Sequence, residues 1–250
     1  MALRVGEGAE VIDRGDHLVI RSLDNPGFWW GNFLLLGAMP QAGTVGEWLV
    51  AFAAEFPAAG HVALAVDTTD NQVVIPGEFA AAGLEPQHAT VLTAAAVRPP
   101  PHRSGDAEIR PLDSDADWQQ SFELGVRCFG DDGAQDYLKR RAAARRRFTR
   151  AGGGAWFGAF SGGRLLAQLG VCDAGGGFAR YQDVETDPAA RRRGLAGTLV
   201  WHAGRYGREV LGASTLVIVA DPAESAIGLY RACGFADLQS QLTFERPSEA

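Results

Sequence analysis

Cysteine is scarce: Cys128, Cys172 and Cys233 are the only three in 250 residues. Odd in number and far apart, they fit neither a disulfide framework nor a metal-ligand pattern, so no metal is expected. They read as small buried hydrophobes in a reducing compartment. Long apolar runs are missing too. None approaches the ~20 residues of a membrane-spanning helix, and the opening MALRVGEGAEVIDRGDHLVI lacks the apolar core of a signal peptide. These absences predict a cytoplasmic protein with no membrane partner. Positive charge is in deficit, with a net charge of −7, which argues against a general nucleic-acid binder. What remains, 46% hydrophobic and 21% charged, is the profile of a globular protein able to bury a core.

Against that acidic background, TDPAARRRGLAGTLV, Thr186 to Val200, concentrates three arginines just before a stretch of small residues. Asp187-Pro188 turns the chain after a strand, and a helix opens near Gly194. The first turn of a helix offers unpaired backbone N–H groups and partial positive charge. Glycine and alanine at 194, 196 and 197 let a ligand approach those donors, and Arg191, Arg192 and Arg193 add charge where a diphosphate would lie. No Gly-Lys-Ser/Thr follows, and the glycine spacing is not that of a dinucleotide-binding turn.

The segment VRPPPHRSGD, Val97 to Asp106, holds three consecutive prolines and reads as a linker. It predicts domains at 1–98 and 107–250, with 99–106 between them. The later part reads β-α-α-β-β-β-α-β-α-β. Its two opening helices are SDADWQQSFELGVRCF, capped by Ser114 or Asp115 with Trp118, Phe122 and Phe129 on one face, and roughly Ala134 to Thr149. Three apolar runs separated by SGG and AGGG turns follow as an antiparallel meander. Then come a helix with Leu195, Leu199, His202 and Tyr206 on its apolar side, the strand STLVIVA, the helix ESAIGLYRACG and the strand LQSQLTFE. In the first part, HLVIRSLD, WGNFLLLG, HVALAVD and HATVLTA read as strands, and VGEWLVAFAAEF and PGEFAAAGL as helices. An aromatic precedes glycine by four residues in both parts, Phe79 to Gly83 and Tyr230 to Gly234, which suggests a degenerate internal repeat.

Arg191-x-x-Gly194-x-Ala196, after a strand and opening a helix, resembles the Arg/Gln-x-x-Gly-x-Gly/Ala signature of the GCN5-related N-acetyltransferases, the GNAT superfamily. SAIGLYRACGF resembles that family's Ala-x-x-Leu-Tyr-x-x-x-Gly-Phe block through Ala226, Leu229, Tyr230, Gly234 and Phe235. The resemblance covers roughly residues 107 to 247. It implies an α+β GNAT fold, a mixed and mostly antiparallel sheet flanked by helices, preceded by a smaller incomplete α/β copy that has lost its loop. One departure is Ala223, where many relatives carry an Asn that contacts the pantetheine arm.

The resemblance further implies acetyl-CoA as co-substrate, its diphosphate held by Arg191, Arg192, Arg193, Gly194, Leu195, Ala196, Gly197 and Thr198. The pantetheine would lie along Val184, Glu185 and Thr186. An acceptor amine, on a small molecule, peptide or protein, would attack the thioester directly. An alkyl amine with pKa near ~10.4 costs roughly 4.6 kcal/mol to deprotonate at neutrality, so a base is needed. Glu185 and Asp183 share a strand face by alternation, and Glu185 lies nearer the strand's end. Tyr230 matches the family's general acid. The rival expectation is a non-catalytic acyl-CoA-binding module; monomer and homodimer both stay open. The remaining signals read as structural. They are His202 as a packed histidine, Trp29 and Trp30 as core aromatics, and KRRAAARRRF as a solvated face with Arg stems over apolar surface.

Overall fold

The computed structural model of the chain describes residues 2–69, 73–130 and 135–247. Two compact units divide it, one formed by Leu3–Val91 with the chain from Gln239 onward, the other by Leu92–Leu238.

The first unit contains β1 (Glu10–Asp13), β2 (His17–Arg21), β3 (Asn32–Leu36), α2 (Val45–Glu55), β4 (His61–Val66), α3 (Glu78–Ala81) and most of β5 (Glu85–Ala94), after a short α1 (Ala2–Gly6). Neither α1 nor β1 was expected. β1, β2 and β3 pair antiparallel, and β3 pairs parallel with β4, the arrangement a strand-helix-strand unit produces. β4 pairs antiparallel with the end of the last strand, β11 (Ala236–Pro247), from Leu242↔Val66 to Pro247↔His61. LQSQLTFE is therefore a strand, as its sequence predicts, but its outer half closes the first unit and not the second. The reason is apolar: Leu242 and Phe244 are buried in the first core, where the Phe244 ring lies 4.0 Å from Phe79. Trp29 stacks on His61 at 5.2 Å and Trp30 packs on the same core.

The second unit follows the expected order: β6 (Glu108–Pro111), α4 (Asp115–Phe129), α5 (Gln135–Arg150), β7 (Gly154–Ser161), β8 (Arg164–Gly175), β9 (Phe178–Thr186), α6 (Leu195–Glu209), β10 (Thr215–Ala220), α7 (Ala226–Ala232) and β11. The predicted start of α5 at Ala134 lies outside the described residues. Strands β6 to β9 form an antiparallel meander, and β10 joins β9 in parallel. α4 starts in a capping box, the Ser114 hydroxyl accepting from Asp117 N–H and the Asp117 carboxylate from Ser114 N–H. Trp118 and Leu124 turn inward, whereas Phe129, the last residue of the helix before Gly130, is exposed.

Every residue of β7 before Ser161 and of β8 from Leu165 to Cys172 is buried, which requires cover on both sheet faces. Ala155, Phe157 and Ala159 share a core with Leu195, Leu199 and Ala203 of α6. On the opposite face Gln168 hydrogen-bonds Ser121 of α4, and Trp156 lies 5.3 Å from the Arg145 guanidinium of α5. α6 buries Gly197, Gly204 and Gly207, each a cost of roughly 0.5–1 kcal/mol relative to alanine in a helix interior. That cost is offset where neighbours need the space. A Cβ at Gly207 would come within 2.9 Å of Leu216, and one at Gly204 within 2.5 Å of Val97.

Candidate functional site

β9 is irregular where the chemistry is expected. Gln168 pairs with Glu185 and Gly170 with Gln182, so three steps on β9 face two on β8: a bulge. Asp183, inside it, has φ of 48°, a left-handed conformation that costs a non-glycine residue roughly 1 kcal/mol. The register between β9 and β10 runs only from Thr215↔Phe178 to Val217↔Arg180. Past those pairs the strands line a cleft of about 360 Å³, with Tyr181 to Val184 on one wall, Ile218 to Asp221 on the other, and Tyr230 of α7. Tyr230 belongs to the core on the α6 side, while the Asp183 carboxylate meets arginines from α5. The cleft thus joins the two faces of the sheet.

Asp183, Val184 and Tyr230, placed on separate elements by the sequence, meet in this cleft. Glu185 and Thr186 do not line it. Glu185 is buried beside it: Gln168 Nε2 donates to one carboxylate oxygen at 2.6 Å and Arg145 Nη2 to the other at 3.3 Å. Burial raises its pKa above the usual carboxylate range, with the Arg145 charge opposing. Arg145 also lies 2.8 Å from Asp183, so the two carboxylates do face one side, although a bulge and not plain alternation puts them there. Arg141 Nη2 donates to Asp183 at 2.8 Å.

Those contacts correct the reading of KRRAAARRRF as a solvated face. Arg141 and Arg145 are each only 4% exposed, because their four-residue spacing aims both at the carboxylates of β9. Their functional signal was present in the sequence as a matched i, i+4 arginine pair and an acidic pair. Gln168 was missed altogether; an amide within a buried strand had no pattern to mark it. Ser121 Oγ donates to Gln168 Oε1 at 2.6 Å, which fixes the amide so that its N–H₂ faces Glu185.

Tyr230 is 5% exposed, and burial pushes its phenol up to about 12. Burial likewise raises the Cys128 and Cys233 thiols to about 11, so neither is a thiolate at neutral pH.

Beyond β9, Asp187 caps the 3-10 turn Pro188–Ala190 by accepting from Ala189 N–H, and pairs with Arg127 and Arg164. Arg191, Arg192 and Arg193 are exposed and make no ion pair with the described residues. Arg192 has φ of 64° and Gly194 of 76°, left-handed residues bracketing Arg193 in the manner of an anion nest at the start of α6. Leu195 is buried in the core, so only its backbone faces the corner, and Ala196 is half-buried.

The bareness of Gly194 and Gly197 has a different immediate cause from the one expected. A Cβ on Gly194 would stand 2.8 Å from the His102 carbonyl oxygen, and one on Gly197 2.8 Å from Pro100. The chain's own proline-rich segment fills that side. Thr198 Oγ donates to the Gly194 carbonyl at 2.8 Å and accepts from Ser104 N–H at 3.1 Å. Among the described residues no group of three His, Cys, Asp or Glu is placed to hold a metal ion. No helix among them is long and apolar enough to cross a membrane.

Comparison with known proteins gives the same outline. Residues 118–235 match the Acetyltransferase (GNAT) family. No curated protein matches the chain. Among solved structures, a functionally unknown conserved protein from Staphylococcus epidermidis has a TM-score of 0.72 at 12% identity, covering 96% of this chain and 95% of its own. A GCN5-related N-acetyltransferase from Kribbella flavida has a TM-score of 0.66 at 14% identity, covering 99% and 94%. Another from Sphaerobacter thermophilus has 0.61 at 17% identity, covering 96% and 76%. At such identities the likeness is one of fold.

Proposed function

Since residues 118–235 match the Acetyltransferase (GNAT) family, we propose that the chain moves an acetyl group from acetyl-CoA to a primary amine of a small molecule, peptide or protein by direct attack. The observations that carry this reading are the cleft between β9 and β10, which holds Tyr230 and Asp183, and the left-handed residues Arg192 and Gly194 at the start of α6. The diphosphate sits on the backbone of residues 192 to 197 with Arg191 to Arg193 around it. The pantetheine runs along β9 from Thr186 to Val184, where it enters the cleft, and the thioester reaches the α5 face, where the carboxylates stand. A backbone N–H freed by the bulge holds the carbonyl oxygen as charge develops.

Glu185 accepts the amine proton, through a water because its carboxylate lies behind the cleft wall; its raised pKa brings it nearer the range where a base works at neutral pH. Asp183 orients the amine. The thiols of half-buried Cys128 and buried Cys233, protonated at neutral pH, favour direct attack over an acyl-cysteine intermediate. Tyr230 faces the departing sulfur. Its phenol, at about 12 against a thiol near ~8.5, makes complete proton transfer uphill by about 5 kcal/mol, so it acts by donating a hydrogen bond. A screen of amines by mass spectrometry tests the assignment. Wild type should add one acetyl group to some amine at the expense of acetyl-CoA, and Tyr230→Phe should do so more slowly.

One observation favours a second reading, binding without catalysis: Glu185 is already held by Arg145 and Gln168. Acetyl-CoA binding with no CoA release across the amine panel would select it.

The first unit reads as a shortened copy of the same fold. Phe79 and Tyr230 each accept a backbone hydrogen bond five residues on, from Leu84 and Phe235, and the intervening Gly83 and Gly234 have φ of 69° and 101°. The two helix ends are thus built alike, as the aromatic-to-glycine spacing suggests.

A further inference from the structure

The segment between β5 and β6 lies along α6. Gly194, Gly197, Trp201 and Gly204 recur at three- and four-residue intervals, so they form one stripe of the helix. The segment lies against all four of them. Val97 fills the space beside Gly204, Pro100 lies at Gly197, the Arg103 guanidinium stacks 4.2 Å above Trp201, and His102 to Ser104 cross Gly194. Arg98 N–H anchors it further by donating to the Cys233 carbonyl at 2.8 Å.

We propose that residues 97–104 are a strap that positions the diphosphate corner, with Ser104 and Thr198 as positioning residues that set affinity for acetyl-CoA. The inference rests on the reading of that corner as the diphosphate site. The Thr198 hydroxyl is committed twice, donating to the Gly194 carbonyl and accepting from Ser104 N–H. It therefore fixes the left-handed residue on which the direction of the corner's N–H groups depends. The strap's prolines hold φ without any N–H of their own, so a rigid wall stands there at little ordering cost. With one flank closed, the exposed side carrying Arg191 to Arg193 is left for the ligand. Donors aimed before the phosphate arrives bind it more tightly than donors that must be ordered by it.

The test is acetyl-CoA affinity by calorimetry, with steady-state kinetics and melting temperature on the full chain. Ser104→Pro deletes the donor, and Ser104→Ala keeps it. Thr198→Val deletes the hydroxyl from the other side, and Thr198→Ser restores it. Ser104→Pro and Thr198→Val should each weaken acetyl-CoA by about five- to tenfold. The acceptor KM should stay within about twofold, Ser104→Ala should behave as wild type, and Thr198→Ser should recover the affinity that Thr198→Val loses. If Ser104→Pro fails to fold, Thr198→Val decides alone. Unchanged affinity in Thr198→Val overturns the proposal, as does an equal loss in acceptor KM, which would mark general damage. Absence of binding by wild type would instead sink the diphosphate assignment itself, a distinct result.

Discussion

The Arg145 guanidinium lies 3.3 Å from the Glu185 carboxylate, and both side chains are buried. Burial raises the carboxylate's pKa and the arginine restrains the rise. In Glu185→Gln, kcat should fall by a factor of about 10² to 10⁴, with CoA affinity little changed. With Glu185 as the proposed base, its unprotonated carboxylate is the active form, so wild-type activity should rise with pH through an acidic limb above the ordinary glutamate range. Arg145→Leu removes the charge favouring that form, so the limb should move to higher pH. A limb at the usual carboxylate pKa, insensitive to Arg145, would contradict the base assignment.

Tyr230 offers a phenol too weakly acidic, at about 12, to surrender its proton fully to a thiolate. Tyr230→Phe should therefore lower kcat by only about tenfold, the worth of one hydrogen bond to a charged sulfur. CoA dissociation should be unaffected, as a calorimetric titration would show.

How much of this was legible in the sequence follows from which interactions are local. The cap of α4, read as Ser114 or Asp115 and found at Ser114, the glycine-turned meander and the arginine-glycine corner are encoded within a few neighbouring residues, and each forms in the stretch where the sequence places it. Contacts across the fold left fainter traces. Arg141 and Arg145 belong to a run that looks solvated until β9 supplies carboxylates, and Gln168 has meaning only beside Ser121 and Glu185. The glycines of α6 were visible, but not the segment nearly a hundred residues earlier that they admit. Nor could periodicity reveal that Leu242 and Phe244 pack in the first core.

Arg191, Arg192 and Arg193 lie exposed without ion-pair partners among the described residues, so replacing them should not disturb the fold. The triple alanine variant should bind CoA about tenfold more weakly at low ionic strength, and the deficit should shrink as salt screens wild type. Melting temperature should change little. A salt-independent loss would place the diphosphate elsewhere.

Asp117 accepts a bidentate pair from Arg110, at 2.7 and 2.9 Å, along with backbone N–H groups of Asp113 and Ser114. The Arg110 hydrogen bonds hold its pKa well below the usual carboxylate value. A carboxylate with a depressed folded pKa contributes stability that is complete above its unfolded pKa near ~3.9 and fades as pH falls toward the folded one. Asp117→Ala should thus destabilise by about 2 kcal/mol at neutral pH, and by progressively less in acid. Urea unfolding at several pH values checks the slope.

A crystal structure of the chain with acetyl-CoA tests the central claim most directly. The diphosphate should lie within hydrogen-bonding distance of the backbone N–H groups of residues 192 to 197, with the thioester between β9 and β10 beside Tyr230. Density for the cofactor at any other place, or none at saturating concentration, would contradict it.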